Sequence, residues 1–129
     1  MIPNILVDSV VLPNKPLSNL VIIDAVKKLS LDGFRGVFLH DTLPKKVKLN
    51  ECGIFKLDSS SGDGTHWVMW FKKGKHKFYF DSYGVHPSSE LLHILSHLYF
   101  TIANESNKSG EVICGHLCLF TLKQLSLGN

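Results

Sequence analysis

The chain has few cysteines, no long apolar run and only a small excess of positive charge. Its 129 residues include three cysteines, Cys52, Cys114 and Cys118, whose number and spacing do not form the disulfide framework of a small secreted domain. No segment approaches the roughly 18 apolar residues that span a bilayer, and the amino terminus has neither a basic start nor an uninterrupted apolar stretch. These absences predict a soluble protein with no membrane partner, in an intracellular reducing compartment.

The composition predicts a single folded domain over residues 1–129. Hydrophobic residues make up 44% and charged residues 19%, which is typical of a globular domain rather than a disordered chain. The formal charge is +3, and much of the positive charge lies in two short lysine-rich runs. We interpret the runs as a solvated loop and a hairpin tip, with weak DNA binding as the alternative. The lysines assigned to this DNA-binding alternative are Lys45, Lys46, Lys48, Lys72, Lys73 and Lys75.

The apolar periodicity predicts an α+β fold in which helices flank a small central mixed or antiparallel sheet. Helical spacing predicts helices over 19–30, capped by Ser18 or Asn19, over 87–98 and over 112–127. Alternating or aromatic-rich runs predict strands over 34–39, 53–57, 66–71, 77–81 and 99–103. The first 17 residues, with three prolines, are typical of an extended arm or an edge strand.

Two side chains with complementary chemistry flank the predicted hairpin. Its strands turn near Gly74, so His66 and Asp81 lie seven or eight positions from the tip and become approximate cross-strand neighbours. We therefore expect the imidazole to meet the carboxylate.

The third chemical group opens the last predicted helix, in the stretch Cys114-Gly115-His116-Leu117-Cys118. A thiol attacks only as the thiolate, which a histidine and the amide dipoles of a helix start both stabilise. Cys118, on the same helical face, is interpreted as a packing residue. A zinc site made of Cys52, Cys114, His116 and Cys118 is the competing interpretation, but the paired Cys-x₂-Cys spacing of structural zinc is lacking, so no metal site is predicted.

Three motifs in the order His, Asp, Cys resemble those of the adenovirus maturation proteases, the adenain family, with relatives in Polinton transposons and adintoviruses. They are 64–67 (Gly-Thr-His-Trp), 79–84 (Tyr-Phe-Asp-Ser-Tyr-Gly) and 114–118, and the block 34–38 with Asp41 and Pro44 is also similar. The resemblance covers about residues 18 to 126 and implies a cysteine protease fold with its nucleophile at a helix start.

Carried over by position, the resemblance implies that Cys114 is the nucleophile, His66 the general base and acid, and Asp81 the group that orients the imidazole. The Cys114 backbone amide supplies one donor to the oxyanion. The family's second donor is a Gln side chain, but the loop 104–111 contains no Gln, and Asn107 is the substitute with the same amide chemistry. Trp67 is interpreted either as a shield of the site or as a core residue.

The resemblance implies a cysteine endopeptidase that cleaves viral or transposon precursor proteins during particle maturation, in a host nucleus or a virion. The sequence requires no cofactor, although the resemblance implies a peptide or DNA activator, with Cys52 as a candidate for linking a peptide. Two alternatives stay open. The same order of residues occurs in ubiquitin-like-specific isopeptidases, and the missing Gln is compatible with an impaired enzyme that serves as a binding module.

Overall fold

The computed structural model describes residues 4–39, 42–57, 66–81, 89–95, 100–101 and 114–128. They form an α+β fold with a five-stranded mixed sheet, a two-stranded sheet and three helices. The elements are β1 (Ile5–Val7), β2 (Val10–Leu12), α1 (Asn19–Leu29), β3 (Phe34–Leu39), β4 (Glu51–Leu57), β5 (His66–Lys73), β6 (His76–Phe80), α2 (Ser89–Leu95), β7 (Phe100–Thr101) and α3 (Cys114–Ser126). Within these residues no helix is long and apolar enough to cross a membrane.

The central sheet has the strand order β3-β4-β5-β6-β7 and separates two apolar clusters. The outer pairs β3–β4 and β6–β7 are parallel, and β5 pairs antiparallel with both neighbours. Because strand side chains alternate between faces, Ile54 and Met69 pack with α1 and α3, whereas Phe55 and Trp70 pack with α2. The sheet is therefore buried on both faces.

Helix α1 confirms the predicted helix over 19–30 and its cap. The Ser18 hydroxyl accepts a hydrogen bond from the Val21 backbone amide at 3.2 Å, which satisfies one of the free amides of the first turn. Ser30 ends the helix in the left-handed region, at φ 55°. Ile22 and Leu29 are among the residues that face the core.

The strands match the predictions closely. Strand β3 has the predicted bounds, and β4 begins two residues earlier than predicted, at Glu51. Strands β5 and β6 form the predicted hairpin, with Gly74 in its turn at φ 60°. The described helices α2 and α3 and strand β7 lie within the spans predicted for them.

The amino-terminal segment differs from the predicted extended arm or edge strand. It folds back as the antiparallel hairpin β1–β2, with Leu6 opposite Val11 and a turn in which Asp8 has a φ of 55°. Val7, Val10 and Leu12 are buried and join the cluster of α1 and α3. The arm prediction relied on three prolines, but Asp8 tolerates the left-handed conformation that lets the chain reverse between them.

A buried ion cluster joins the sheet to α2. The Glu51 carboxylate is 2% exposed and accepts hydrogen bonds from the Lys72 ammonium at 3.2 Å and from the Arg35 guanidinium at 3.0 Å. The Trp70 indole N–H and the Lys48 backbone amide donate to the same carboxylate, at 3.3 and 2.6 Å. Lys72 also donates to the carbonyl of Ile94 in α2, at 3.0 Å.

Candidate active site

His66 and Asp81 form a buried hydrogen-bonded pair at one end of the hairpin. The His66 Nε2 atom lies 2.5 Å from Asp81 Oδ1, and the two residues are 9% and 1% exposed. Met69 pairs with Phe80, so Asp81 lies diagonally across the ladder from His66 rather than directly opposite it. The predicted meeting of imidazole and carboxylate is confirmed.

Cys114 is the first residue of α3 and lies beside this pair. Its side chain is buried, and its Sγ accepts a hydrogen bond from the backbone amide of Trp67, the residue after His66, at 3.4 Å. A backbone N–H that points at sulfur stabilises the thiolate more than the thiol. The fold therefore brings together the three side chains that the sequence singled out.

The environment of His66 favours its protonated form. Burial acts against the imidazolium, but its hydrogen bonds to Asp81 and Cys114 and its Coulombic interactions with the same two groups outweigh burial and raise the pKa of His66 from 6.5 to about 9. A positively charged histidine next to a cysteine is the arrangement in which thiol nucleophiles are activated.

This pKa shift predicts a pH-dependent stability. The folded-state pKa lies above the unfolded value, so the stabilisation is complete below pH 6.5 and is lost as the pH rises through about 9. We expect the free energy of unfolding of wild type minus that of His66→Gln to fall by up to about 3 kcal/mol from about pH 6 to about pH 10 in urea titrations. The exposed His76 provides the matched His76→Gln control. A His66→Gln difference that does not change with pH would contradict the assignment.

Trp67 connects the site to the segment that precedes α1. Its indole N–H donates to the carbonyl of Leu17 at 3.0 Å, and the side chain is 3% exposed within the core. A Cβ atom added to Gly115 would lie 3.0 Å from the Trp67 ring and 3.1 Å from the Leu17 side chain, so α3 approaches both closely. Trp67 is thus a core residue, and it also lines a cavity beside the site.

His116 gives the site a second attachment to this segment, which sequence reasoning missed. It is 3% exposed, and its Nε2 lies 2.8 Å from the carbonyl of Pro13, to which it donates. His116 is two positions from both Cys114 and Cys118, so it lies on the opposite side of α3, which is buried around most of its circumference. The apolar periodicity of the sequence therefore gave no signal for its burial.

Of the two proposed oxyanion donors, the Cys114 amide lies within the described residues and the Asn107 side chain does not. The Cys114 amide belongs to the first residue of α3, where backbone amides have no partner within the helix. Asn107 and Asp41 lie outside the described residues. The amide of Cys114 is therefore the donor whose position in the fold is known.

The other two thiols differ from Cys114. Cys118 is fully buried, donates to the carbonyl of Trp67 at 3.3 Å, and has a pKa raised well above its ordinary value by burial and by the neighbouring Cys114 and Asp81. Cys52 is 2% exposed, and burial followed by the charges of Glu51 and Asp32 raises its pKa to about 12. The raised pKa disfavours Cys52 as the residue that links an activating peptide, and that role stays a prediction.

The lysine-rich runs are only partly on the surface. Lys45, Lys46, Lys48, Lys73 and Lys75 are exposed. Lys72 is 4% exposed and engaged by Glu51, so its place in a DNA-binding surface is a wrong prediction. Strand β5 continues to Lys73. Lys72 is therefore a strand residue with a buried side chain and not a residue of the hairpin turn.

The described residues contain no group of three or more His, Cys, Asp and Glu side chains arranged to hold a metal ion. Within the stretch 114–118, His116 instead contacts a carbonyl oxygen and Cys118 donates to another.

The chain matches no protein-family model and no curated protein.

Proposed function

We propose that this protein is a cysteine endopeptidase that cleaves viral or transposon precursor polypeptides through Cys114, His66 and Asp81. One observation carries the proposal: a buried imidazole, bonded to a buried carboxylate at 2.5 Å, interacts with a thiol at the start of a helix. The precursor class of the substrate comes from the resemblance to the adenain family. The geometry supports the chemistry of acyl transfer.

The two ring nitrogens of His66 have different roles in this proposal. Since Nε2 bonds Asp81, we assign the interaction with Cys114 to Nδ1. Asp81 then fixes the orientation of the ring and stabilises the imidazolium, while the proton on Nδ1 is available to the departing amine. The Trp67 amide keeps the sulfur in place.

In the first half of the reaction, the Cys114 thiolate attacks the carbonyl carbon of the scissile peptide bond. The carbonyl electrons move to the oxygen, where the Cys114 amide donates to the oxyanion. The C–N bond breaks as His66 gives its proton to the amine, which leaves a thioester. In the second half, His66 takes a proton from water and the hydroxide attacks the thioester carbon. The C–S bond then breaks, which releases the carboxylic acid and returns Cys114 to the thiolate beside the His66 imidazolium.

The first test is covalent labelling by a peptide vinyl sulfone at neutral pH, with the modified residue located by mass spectrometry. We expect one adduct, on Cys114, while Cys52 and Cys118, whose pKa values are raised by burial, stay unmodified. His66→Ala should slow the labelling by about 10²- to 10⁴-fold, because the thiolate loses its cationic partner. His93→Ala, at an exposed position of α2, is the matched control and should label at the wild-type rate.

The denatured protein should label at all three cysteines, which verifies that each adduct can be detected. No Cys114 adduct on the folded protein would contradict the proposal and favour a binding module. A ubiquitin-like vinyl sulfone that labels Cys114 faster than unstructured peptide probes would reassign the substrate to a conjugated tail.

A further inference from the structure

We propose that a cavity beside Trp67 receives an acidic side chain of the substrate, and that Lys56 is the residue that selects it. The inference rests on the proposed peptidase function and adds to it a chemical class of substrate sequence. Three features support it: the position of the cavity, the register of the sheet and the charge of the cavity lining.

The cavity has a volume of about 580 Å³, and its lining includes Trp67, the residue after His66. One wall is the segment Pro16–Asn19, and another is the end of β3, Val37–Leu39. Trp67 also lines it, and the backbone amide of this residue donates to Cys114 Sγ at 3.4 Å. A polypeptide bound at the thiol therefore has a nearby recess that is large enough to receive a side chain.

The sheet register places a lysine at this recess. Lys56 pairs with Trp67 across the β4–β5 ladder and with Leu39 across the β3–β4 ladder, so the three residues form a row on one face. Directly paired residues project their side chains to the same side of a sheet. All three line the cavity.

Lys56 departs from the pattern of its strand. The preceding positions on the same face, Cys52 and Ile54, are buried in the apolar cluster of α1 and α3. Alternation would extend this apolar face to residue 56, yet a half-buried ammonium-bearing side chain stands there. Packing against the apolar cluster would be served by another apolar side chain at this position. A charged side chain there can instead contact a substrate group of opposite charge.

The charge of the lining is unbalanced. Among the described residues that line the cavity, Lys56 is the single cation, and no carboxylate accompanies it. The buried Lys72 and the partly buried Arg35 are both paired with Glu51, whereas Lys56 makes no salt bridge with a described residue. A substrate Asp or Glu would complete a charge-assisted pair at a partly shielded position.

The register also limits where the acid lies in the substrate. Paired Cα atoms of Lys56 and Trp67 are about 5 Å apart, and an extended chain advances about 3.3 Å per residue. An acidic residue within about three positions of the scissile bond would reach the Lys56 ammonium.

The test profiles the cut sites in a random peptide library by mass spectrometry, for wild type, Lys56→Glu and Lys75→Glu. We expect wild type to enrich Asp and Glu at one position near the cut by about tenfold over Lys and Arg. Lys56→Glu should reverse this preference at the same position. Lys75→Glu makes the same charge change at the exposed hairpin turn and should leave the preference unchanged.

Matched peptides with Glu or Gln at that position then give kcat/KM, and the Glu advantage of wild type should shrink in high salt. Equal labelling of Cys114 in wild type and Lys56→Glu shows that the variant is folded and reactive. Cleavage with the same residue preference in both proteins, or an apolar preference at every nearby position, would overturn the inference alone. A wild-type protein that cleaves no peptide and leaves Cys114 unlabelled would overturn the proposed function and this inference with it.

Discussion

Cys114→Ala should lower the rate of peptide hydrolysis by at least about 10⁴-fold, to background, because no other group of the site can form the acyl intermediate. Cys118→Ala is the matched control. It removes a thiol from the same helix, one turn later, where Sγ donates to the Trp67 carbonyl and is sealed from solvent. We expect Cys118→Ala to lose stability, by about 1 to 3 kcal/mol, and to retain hydrolysis below its midpoint of unfolding.

The measurement is the release of a fluorophore from the peptide that the library profile selects, with thermal unfolding of each variant recorded in parallel. Hydrolysis by folded Cys114→Ala at the wild-type rate would remove the thiol from the mechanism. Loss of hydrolysis in a Cys118→Ala protein that is folded and still labelled at Cys114 would contradict the assignment of Cys118 to packing.

Glu51→Gln should be the most destabilising of the charge-removing substitutions, with a loss of about 3–5 kcal/mol in the free energy of unfolding. The change leaves the 4% exposed Lys72 without its anion. It also places a donating –NH₂ group among the donors Arg35, Trp70 and the Lys48 amide, where only acceptors are wanted.

Asp24→Asn is the matched control. Like Glu51→Gln, it removes a carboxylate that is paired with a lysine ammonium, here that of Lys28 at 3.0 Å. Both side chains of that pair are more than half exposed, and we expect a change of less than about 0.5 kcal/mol. Urea denaturation of both variants is the measurement. A Glu51→Gln protein as stable as Asp24→Asn would show that the cluster contributes nothing beyond surface pairing.

The elements that the sequence predicted well are those that local patterns determine. Ser18 followed by apolar residues at helical spacing predicted α1, and the aromatic-rich runs around Gly74 predicted the hairpin that brings His66 to Asp81. The same periodicity predicted a helix over 112–127, and α3 (Cys114–Ser126) lies within that span. The three candidate side chains could therefore be selected without any coordinates.

What the sequence did not predict depends on contacts between distant segments. Lys72 lies among other lysines and looks solvated, and only the pairing of β4 with β5 places it opposite Glu51. In the same way, nothing local distinguishes Lys56 from a surface residue, because its neighbours Leu39 and Trp67 come from other strands. Long-range register, rather than propensity, decides such positions.

The bond between His116 and the Pro13 carbonyl joins residues that are 103 positions apart, and the bond between Trp67 and the Leu17 carbonyl joins residues 50 apart. During synthesis, the segment 13–17 emerges long before the helix that it must hold, and contacts of such high sequence separation form late. The nascent chain therefore completes its reactive centre only after residue 116 has left the ribosome, so partly synthesised copies carry no assembled thiol site while they are still being translated.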